Sequence, residues 1–196
     1  HNMTLIYTLN YIQRPLIQTH AMPWLHTTDL PAGQNITVAI MSYTGFNQED
    51  SFIMNKNAID AGLFKMSYYK KYEATQKKGY DTGKMDKFEK PHPEMVGNMR
   101  NSKFYEKLNR DGLVKKGTFV SNMDFIIGKI TPTSNNNNSK PFRDSSVAIK
   151  SNTSGYVDQV IKTYNQNRDE RRIVRIRSVR SPNVGDKLTS RYGKKG

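Results

Sequence analysis

Ile173-Val174-Arg175-Ile176-Arg177-Ser178-Val179 decides how this chain is read. Apolar and basic side chains alternate through it with period two. On an extended backbone Val174, Ile176 and Ser178 then share one face, and Arg175 and Arg177 the other. The result is a strand with an apolar back and a guanidinium front, suited to presenting charge. Working outward, Gly155 to Ile161 predicts a second strand, with Asn165 to Asp169 as the turn between the two. Thr118-Phe119-Val120 and the run Phe125 to Ile130 also read as strands. Leu63 to Tyr72 alternates again, with Met66, Tyr68, Lys70 and Tyr72 on one side and Lys65, Ser67, Tyr69 and Lys71 on the other. Tyrosines are common strand residues, and interleaved with lysines they are also able to stack on bases.

The amino-terminal third follows the same logic. Ile36 to Tyr43 is continuous and β-branched, which predicts a buried strand turning at Gly45. Asn55 stands where a residue caps a short helix over Lys56–Ala61, with Gly62 to close it. Pro15, Pro23 and Pro31 keep residues 3–31 in extended chain and turns. Residues 76–112 read as loops with short elements, and Thr133 to Ser139, with four consecutive asparagines, as a low-complexity loop. No internal repeat is present, and the predicted class is mainly β with minor helix.

Composition narrows the partners. The 196 residues suffice for one large domain or two small ones, but 35% hydrophobic content is lean and implies long loops or faces that rest against a partner. A net charge of +14 favours a polyanion, nucleic acid before an anionic membrane surface. From Arg171 to Gly196 there are nine basic residues and one acid, a concentration that points to a contact surface. The absence of cysteine excludes disulfides and thiolate zinc sites within these residues. His1, His20, His26 and His92 lack metal-ligand spacing and read as surface or capping residues. No apolar run approaches the ~18 residues of a membrane helix, and no signal peptide is visible. His1 without an initiator, and Gly196 directly after the densest basic motif, read as cuts in a longer chain.

Two motifs carry chemistry. Gly45-Phe46-Asn47-Gln48-Glu49-Asp50-Ser51 offers adjacent carboxylates, which bind magnesium or form an ordinary solvated turn. Magnesium keeps several waters, so one or two carboxylates plus substrate phosphates suffice. On a regular strand Glu49 and Asp50 face opposite ways, and they serve one ion only on a bend that Gly45 and Asn47 permit. The second motif is Gly185-Asp186-Lys187-Leu188-Thr189-Ser190-Arg191-Tyr192-Gly193-Lys194-Lys195-Gly196. Its glycines allow close backbone approach, its lysines act as point charges and its arginine as a fork. It lacks the order of a Walker loop. A phosphate-contacting loop and a basic solvated tail both remain open at this level.

Taken in order, several segments resemble the second-largest subunit of multisubunit DNA-directed RNA polymerases. They are Leu30 to Asn35, Tyr43 to Asn55, Ile59 to Phe64, Asp111-Gly112-Leu113, Ile126 to Lys129, Gly155 to Asp158 and Gly185 to Gly196. The Asn47-Gln48-Glu49-Asp50 version is similar to the RNA polymerase II branch and its relatives in large DNA viruses. The resemblance implies a partial double-psi β-barrel, the hybrid-binding domain, in residues 1–65 and 181–196, with a β-rich wall or flap inserted at 66–180. It implies nucleotidyl transfer by two magnesium ions. The principal ion is held by the largest subunit, and the second arrives with the NTP near Asp50 and, in a supporting role, Glu49. By the same resemblance Lys187 and Lys195 face the RNA 3′ end and phosphates, while Arg191 and Lys194 belong to the phosphate-binding loop. The implied partners are the largest and other polymerase subunits, the DNA template, the RNA–DNA hybrid and NTPs, with no membrane. The implied location is the nucleus for a eukaryotic source, or the virion or viral factory for a virus. Tyr192 stands where the family usually has histidine, and His20 where arginine is usual. A stand-alone basic nucleic-acid-binding module without catalysis is the alternative reading.

Overall fold

Strands supply most of the regular structure, as the alternation predicts, in a computed structural model that describes residues 4–80, 82–134, 140–150 and 152–196. They are β1 (Leu5–Leu9), β2 (Met66–Thr75), β3 (Val96–Gly97), β4 (Phe119–Val120), β5 (Phe125–Ile127), β6 (Ile130–Pro132), β7 (Phe142–Asp144), β8 (Val147–Ala148), β9 (Gly155–Tyr164) and β10 (Glu170–Arg180). Helix among the described residues is limited to α1 (Ala21–Trp24), α2 (Lys56–Asp60) and a 3-10 turn at Ser102–Tyr105. The chain divides into two compact units. A strand-rich unit comprises His1–Ile6 and Tyr69–Ser178, and a loop-rich unit comprises Tyr7–Tyr68 and Val179–Gly196.

The strand-rich unit is organised by a sheet in the order β1-β2-β10-β9-β4. β9 and β10 pair antiparallel from Glu170↔Tyr164 to Arg177↔Tyr156, with a bulge that leaves Asp158 as the extra residue. The turn expected at Asn165–Asp169 forms because the Asn165 side chain accepts from the amides of Asn167 and Asp169, each at 2.9 Å. Val174 and Ile176 are fully buried while Arg177 is exposed, the two-faced strand that period two predicts. Their inner face packs with Tyr72, Val120, Val157, Ile126 and Ile127 in the main core. The run Phe125–Ile130 is broken at Gly128 into β5 and β6. A Cβ there would stand 2.5 Å from the Glu89 carbonyl, so close backbone approach, rather than strand, decides that position. A smaller cluster stacks Tyr105 on Phe125 with ring centroids 4.1 Å apart. Burial, and then the hydrogen bond it donates to Asp144, push the Tyr105 hydroxyl pKa well above its ordinary value.

Tyr72 carries a testable oddity. Its ring is in the core, yet among the described residues its buried hydroxyl has no hydrogen-bond partner. An unsatisfied buried hydroxyl costs desolvation without return. Tyr72→Phe is therefore expected to leave stability unchanged or raise it by up to about 1 kcal/mol, read from the urea midpoint of the strand-rich unit. A clear loss of stability would mean that the hydroxyl is bonded after all.

The loop-rich unit departs from expectation. Ile36–Tyr43 forms no strand and is not buried: Val38 is 68% and Ile40 100% exposed. A β-branched run becomes a strand only where a neighbouring strand pairs with it, and none among the described residues does so. Side-chain amides substitute for a ladder nearby. Gln34 donates to the Tyr11 carbonyl at 2.6 Å and accepts from the Phe64 amide at 2.9 Å, and Asn35 donates to the Arg14 carbonyl at 2.8 Å. The short helix after Asn55 forms as predicted, with the Asn55 side chain accepting from the amides of Asn57 and Ala58 and Gly62 left-handed at its end. Residues 3–31 are not wholly extended chain and turns, because α1 adds one helical turn. Pro23 is tolerated there because amides in a first turn have no intrahelical partner to lose. The four asparagines at 135–138 lie outside the described residues.

Candidate functional site

Both motifs lie in the loop-rich unit. The acidic turn is closed by its own polar side chains: Asn47 accepts from the Tyr43 amide at 3.0 Å and donates to the Met41 carbonyl at 2.7 Å. The Ser51 hydroxyl lies 2.5 Å from the Gln48 carbonyl and 2.9 Å from that of Phe46. Gly45 takes φ 77° and Glu49 itself φ 57°. A left-handed glutamate costs about 1–2 kcal/mol, held here by the hydrogen bonds around it. The bend thus falls on the acidic pair itself and breaks the alternation that would send the two carboxylates to opposite faces. Both are exposed.

The basic motif is a small hairpin. Leu188 and Gly196 exchange backbone hydrogen bonds of 2.8 and 2.9 Å, and Thr189 faces Lys195. The turn closes through the Gly193 amide on the Ser190 carbonyl, with Gly193 left-handed at φ 97°. Burial alternates accordingly. Lys187, Thr189 and Lys195 are exposed on one face, while Leu188, Ser190 and Gly196 are half-buried on the other. Arg191 donates to the Ile17 carbonyl at 3.4 Å, a tether for the hairpin.

The two motifs meet. A Cβ on Gly196 would collide with the Asp50 carbonyl and stand 2.9 Å from the Phe52 ring, so only glycine fits where the hairpin rests on the acidic turn. Lys194 Nζ lies 3.8 Å from Asp50 Oδ1, with side-chain exposures of 66% and 83%. An ion pair so open adds little stability. Lys194, rather than Lys187 or Lys195, is thus the cation beside Asp50. Among the described residues neither of the other two forms an ion pair, which leaves both free on the open face. The wider expectation of one contact surface from Arg171 onward needs correcting. Arg171 pairs with Glu73, Arg175 with Asp158 and Arg180 with Asp186. Arg172 is buried against Glu170 and lies 4.5 Å from the Phe88 ring. Four of the nine basic residues are spent on the fold, neutralised by near acids (Glu170, Asp186) or remote ones (Glu73, Asp158).

Among the described residues no group of three or more acidic or histidine side chains gathers to hold a metal. Two exposed neighbouring carboxylates fit an ion that brings phosphate and water ligands with it better than a resident one. The details that composition concealed are the left-handed Glu49 and the Ser51 clamp. Asn47 and Ser51, four residues apart, flanking Gln48-Glu49-Asp50 and preceded by Gly45, are the available signal.

The model of the family described as RNA polymerase Rpb2, domain 6, matches residues 2–196. This chain belongs to that family. Among relatives of this Rpb2-type chain, DNA-directed RNA polymerase II subunit 2 of Arabidopsis thaliana is 44% identical over 198 residues, covering 98% of this chain and 16% of that subunit. DNA-directed RNA polymerase II subunit RPB2 of Schizosaccharomyces pombe is 43% identical over 200 residues, with the same coverage. DNA-directed RNA polymerase subunit Rpo2 of Saccharolobus solfataricus is 34% identical over 199 residues, covering 98% of this chain and 18% of that subunit. The chain therefore spans about a sixth of the length of its polymerase relatives. No described helix is long and apolar enough to cross a membrane.

Proposed function

We propose that this Rpb2-type chain forms part of the catalytic core of a DNA-directed RNA polymerase, where it contacts the incoming NTP and the RNA 3′ end. The observation that carries the reading is the packing of the Glu49–Asp50 bend against the Lys187–Gly196 hairpin, two segments far apart in the sequence. A carboxylate pair beside free lysines suits a triphosphate accompanied by a cation: the acids meet the ion and the lysines meet the phosphates. Asp50 takes the more direct role and Glu49 a supporting one. Lys187 and Lys195 hold the transcript end and phosphates from the open face, with Lys194 and Arg191 shaping the loop. The ion, magnesium, would supply charge neutralisation on the triphosphate. The principal ion belongs to the largest subunit in this reading.

The same reading makes residues 1–65 and 181–196 pieces of a hybrid-binding barrel and 66–180 the wall. Its partners are the other polymerase subunits, template DNA, the RNA–DNA hybrid and NTPs. Its place of action is the nucleus in a eukaryote. A stand-alone basic module is less favoured. Among the described residues every buried hydrophobic side chain lies in the strand-rich unit, whereas Trp24, Val38, Ile40 and Phe46 of the loop-rich unit are exposed. Such a unit has the surface of a piece that packs on further protein.

The experiment is a reconstituted polymerase carrying the full-length subunit with Lys187→Ala or Lys195→Ala. Loss of a charge-assisted phosphate contact is expected to raise the KM for NTP about tenfold or more. Normal elongation at low nucleotide concentration would remove these lysines from the site.

A further inference from the structure

The strand-rich unit carries a basic trough built from residues that the acidic bend and its hairpin do not involve. Two hollows, of about 730 and about 420 Å³, share Asn98 and Arg100 in their lining and so form one groove. Lys150 lines only the first and Lys140 only the second, which places a cation in each arm and Arg100 where the arms meet. All three are exposed, and none forms an ion pair among the described residues. The floor is fixed by a buried network. Tyr105 accepts from the Arg100 amide at 3.2 Å and donates to Asp144 of β7, so the segment after β3 is held against β7. The Arg100 guanidinium lies 5.8 Å from the Phe125 ring centroid, a contact that steadies the cation.

Charge selects an anionic occupant, and the other lining groups select among anions. The one ring of the described lining, Phe125, is 4% exposed and already stacked on Tyr105, so no free aromatic face is offered to a base. The one acid of that lining is Asp144, whose carboxylate accepts from Tyr105 and from the Ser146 amide at 3.0 Å. It repels an unbroken run of phosphates, whereas a polypeptide sets a backbone N–H or an uncharged residue beside it. Asn98 and Asn122 are exposed, and each offers a donor together with an acceptor. A peptide unit matches that pair, and a phosphate group, which only accepts, does not.

We infer that this trough binds an extended acidic peptide, whose aspartate or glutamate side chains meet Lys150, Arg100 and Lys140 while its backbone bonds to Asn98 and Asn122. The test uses assembled polymerase containing the full-length subunit, with its nucleic-acid channel filled by a template–RNA scaffold. The probe is a fluorescein-labelled peptide of alternating glutamate and glycine, read by anisotropy. Arg100→Gln and Lys150→Gln, both on exposed side chains, are each expected to weaken binding about tenfold or more, with nucleotide addition unchanged. Arg100→Lys keeps the charge but loses the fork, and should recover part of the affinity. Arg100→Glu combined with Lys150→Glu should reject the glutamate peptide and take one with lysine in its place, an exchange that mere disturbance of the fold does not produce. A photoreactive group replacing the Asn122 side chain should label the glutamate peptide. Failure to label, or affinity indifferent to both glutamine variants, overturns the inference. So does displacement by oligouridine as readily as by unlabelled peptide, which makes the trough a nucleic-acid surface, or by inorganic tripolyphosphate, which makes it a general anion site. Binding is read without nucleotide addition, so failure here leaves the polymerase reading standing.

Discussion

In a polymerase reconstituted with the full-length subunit, Asp50→Ala is expected to lower kcat/KM for nucleotide addition about 10²-fold or more, with assembly unaffected. The side chain is 83% exposed, and its one ionic contact among the described residues is the open 3.8 Å approach of Lys194. Truncating it therefore removes almost nothing that holds the fold. The part of Asp50 that does hold the fold is its backbone carbonyl, against which Gly196 packs, and alanine keeps that carbonyl. A large kinetic effect without an assembly effect can only come from charge delivered to a ligand. Asp50→Asn separates charge from shape: an amide of the same size should lose most of the rate, and raising the magnesium concentration should restore more of it than in the alanine variant. Glu49→Ala should cost less, in keeping with a supporting position. Addition kinetics unchanged by Asp50→Ala would reject any metal or nucleotide role for this bend.

The strand-rich unit was the legible part of the sequence. β9 and β10 alternate because each has a buried back and a wet front, whereas β2 is half-buried on both faces from Met66 to Lys71 and alternates only from Tyr72; the partners that bury Val174 and Ile176 lie in the same chain. Where the deciding partner is remote, the pattern misleads. Arg171 and Arg175 look like surface cations until Glu73 and Asp158 are seen beside them. Ile36–Tyr43 has the composition of a buried strand, but composition registers only that a strand would be favourable if paired, not whether a pairing edge exists. The acidic bend was half legible. Gly45 and Asn47 announce a turn, whereas the left-handed Glu49 depends on hydrogen bonds from Ser51 and Asn47 that spacing alone does not specify. Lys194 beside Asp50 follows from the glycine contact at Gly196, a packing fact with no local signature.

The largest stability effect is expected at Asp86, on the opposite kind of ion pair from Lys194–Asp50. Asp86 and Lys129 pair at 2.8 Å with side-chain exposures of 4% and 12%. The same carboxylate accepts from the Lys77 amide at 3.1 Å, and the Lys129 ammonium also donates to the Thr75 carbonyl at 3.3 Å. The pair thus ties the end of β2, and the hairpin after it that the Lys78↔Met85 bridge closes, to the link between β5 and β6. Asp86→Ala strands a buried ammonium with one carbonyl for company, and breaking a buried pair in this way costs about 3–5 kcal/mol. The loss should appear as faster hydrogen exchange at the Val174 and Ile176 amides, which lie in the core and report opening of the unit. Desolvation also predicts what single variants cannot show. Replacing both partners, Asp86→Leu with Lys129→Met, removes two buried charges at once and should be markedly less destabilising than the sum of the two single changes. Asp86→Asn should fall between, because it keeps an acceptor for the Lys77 amide while losing the charge that Lys129 needs. Strict additivity in that cycle would mean that the two groups do not stabilise one another, and that the hairpin is held by its backbone hydrogen bonds alone.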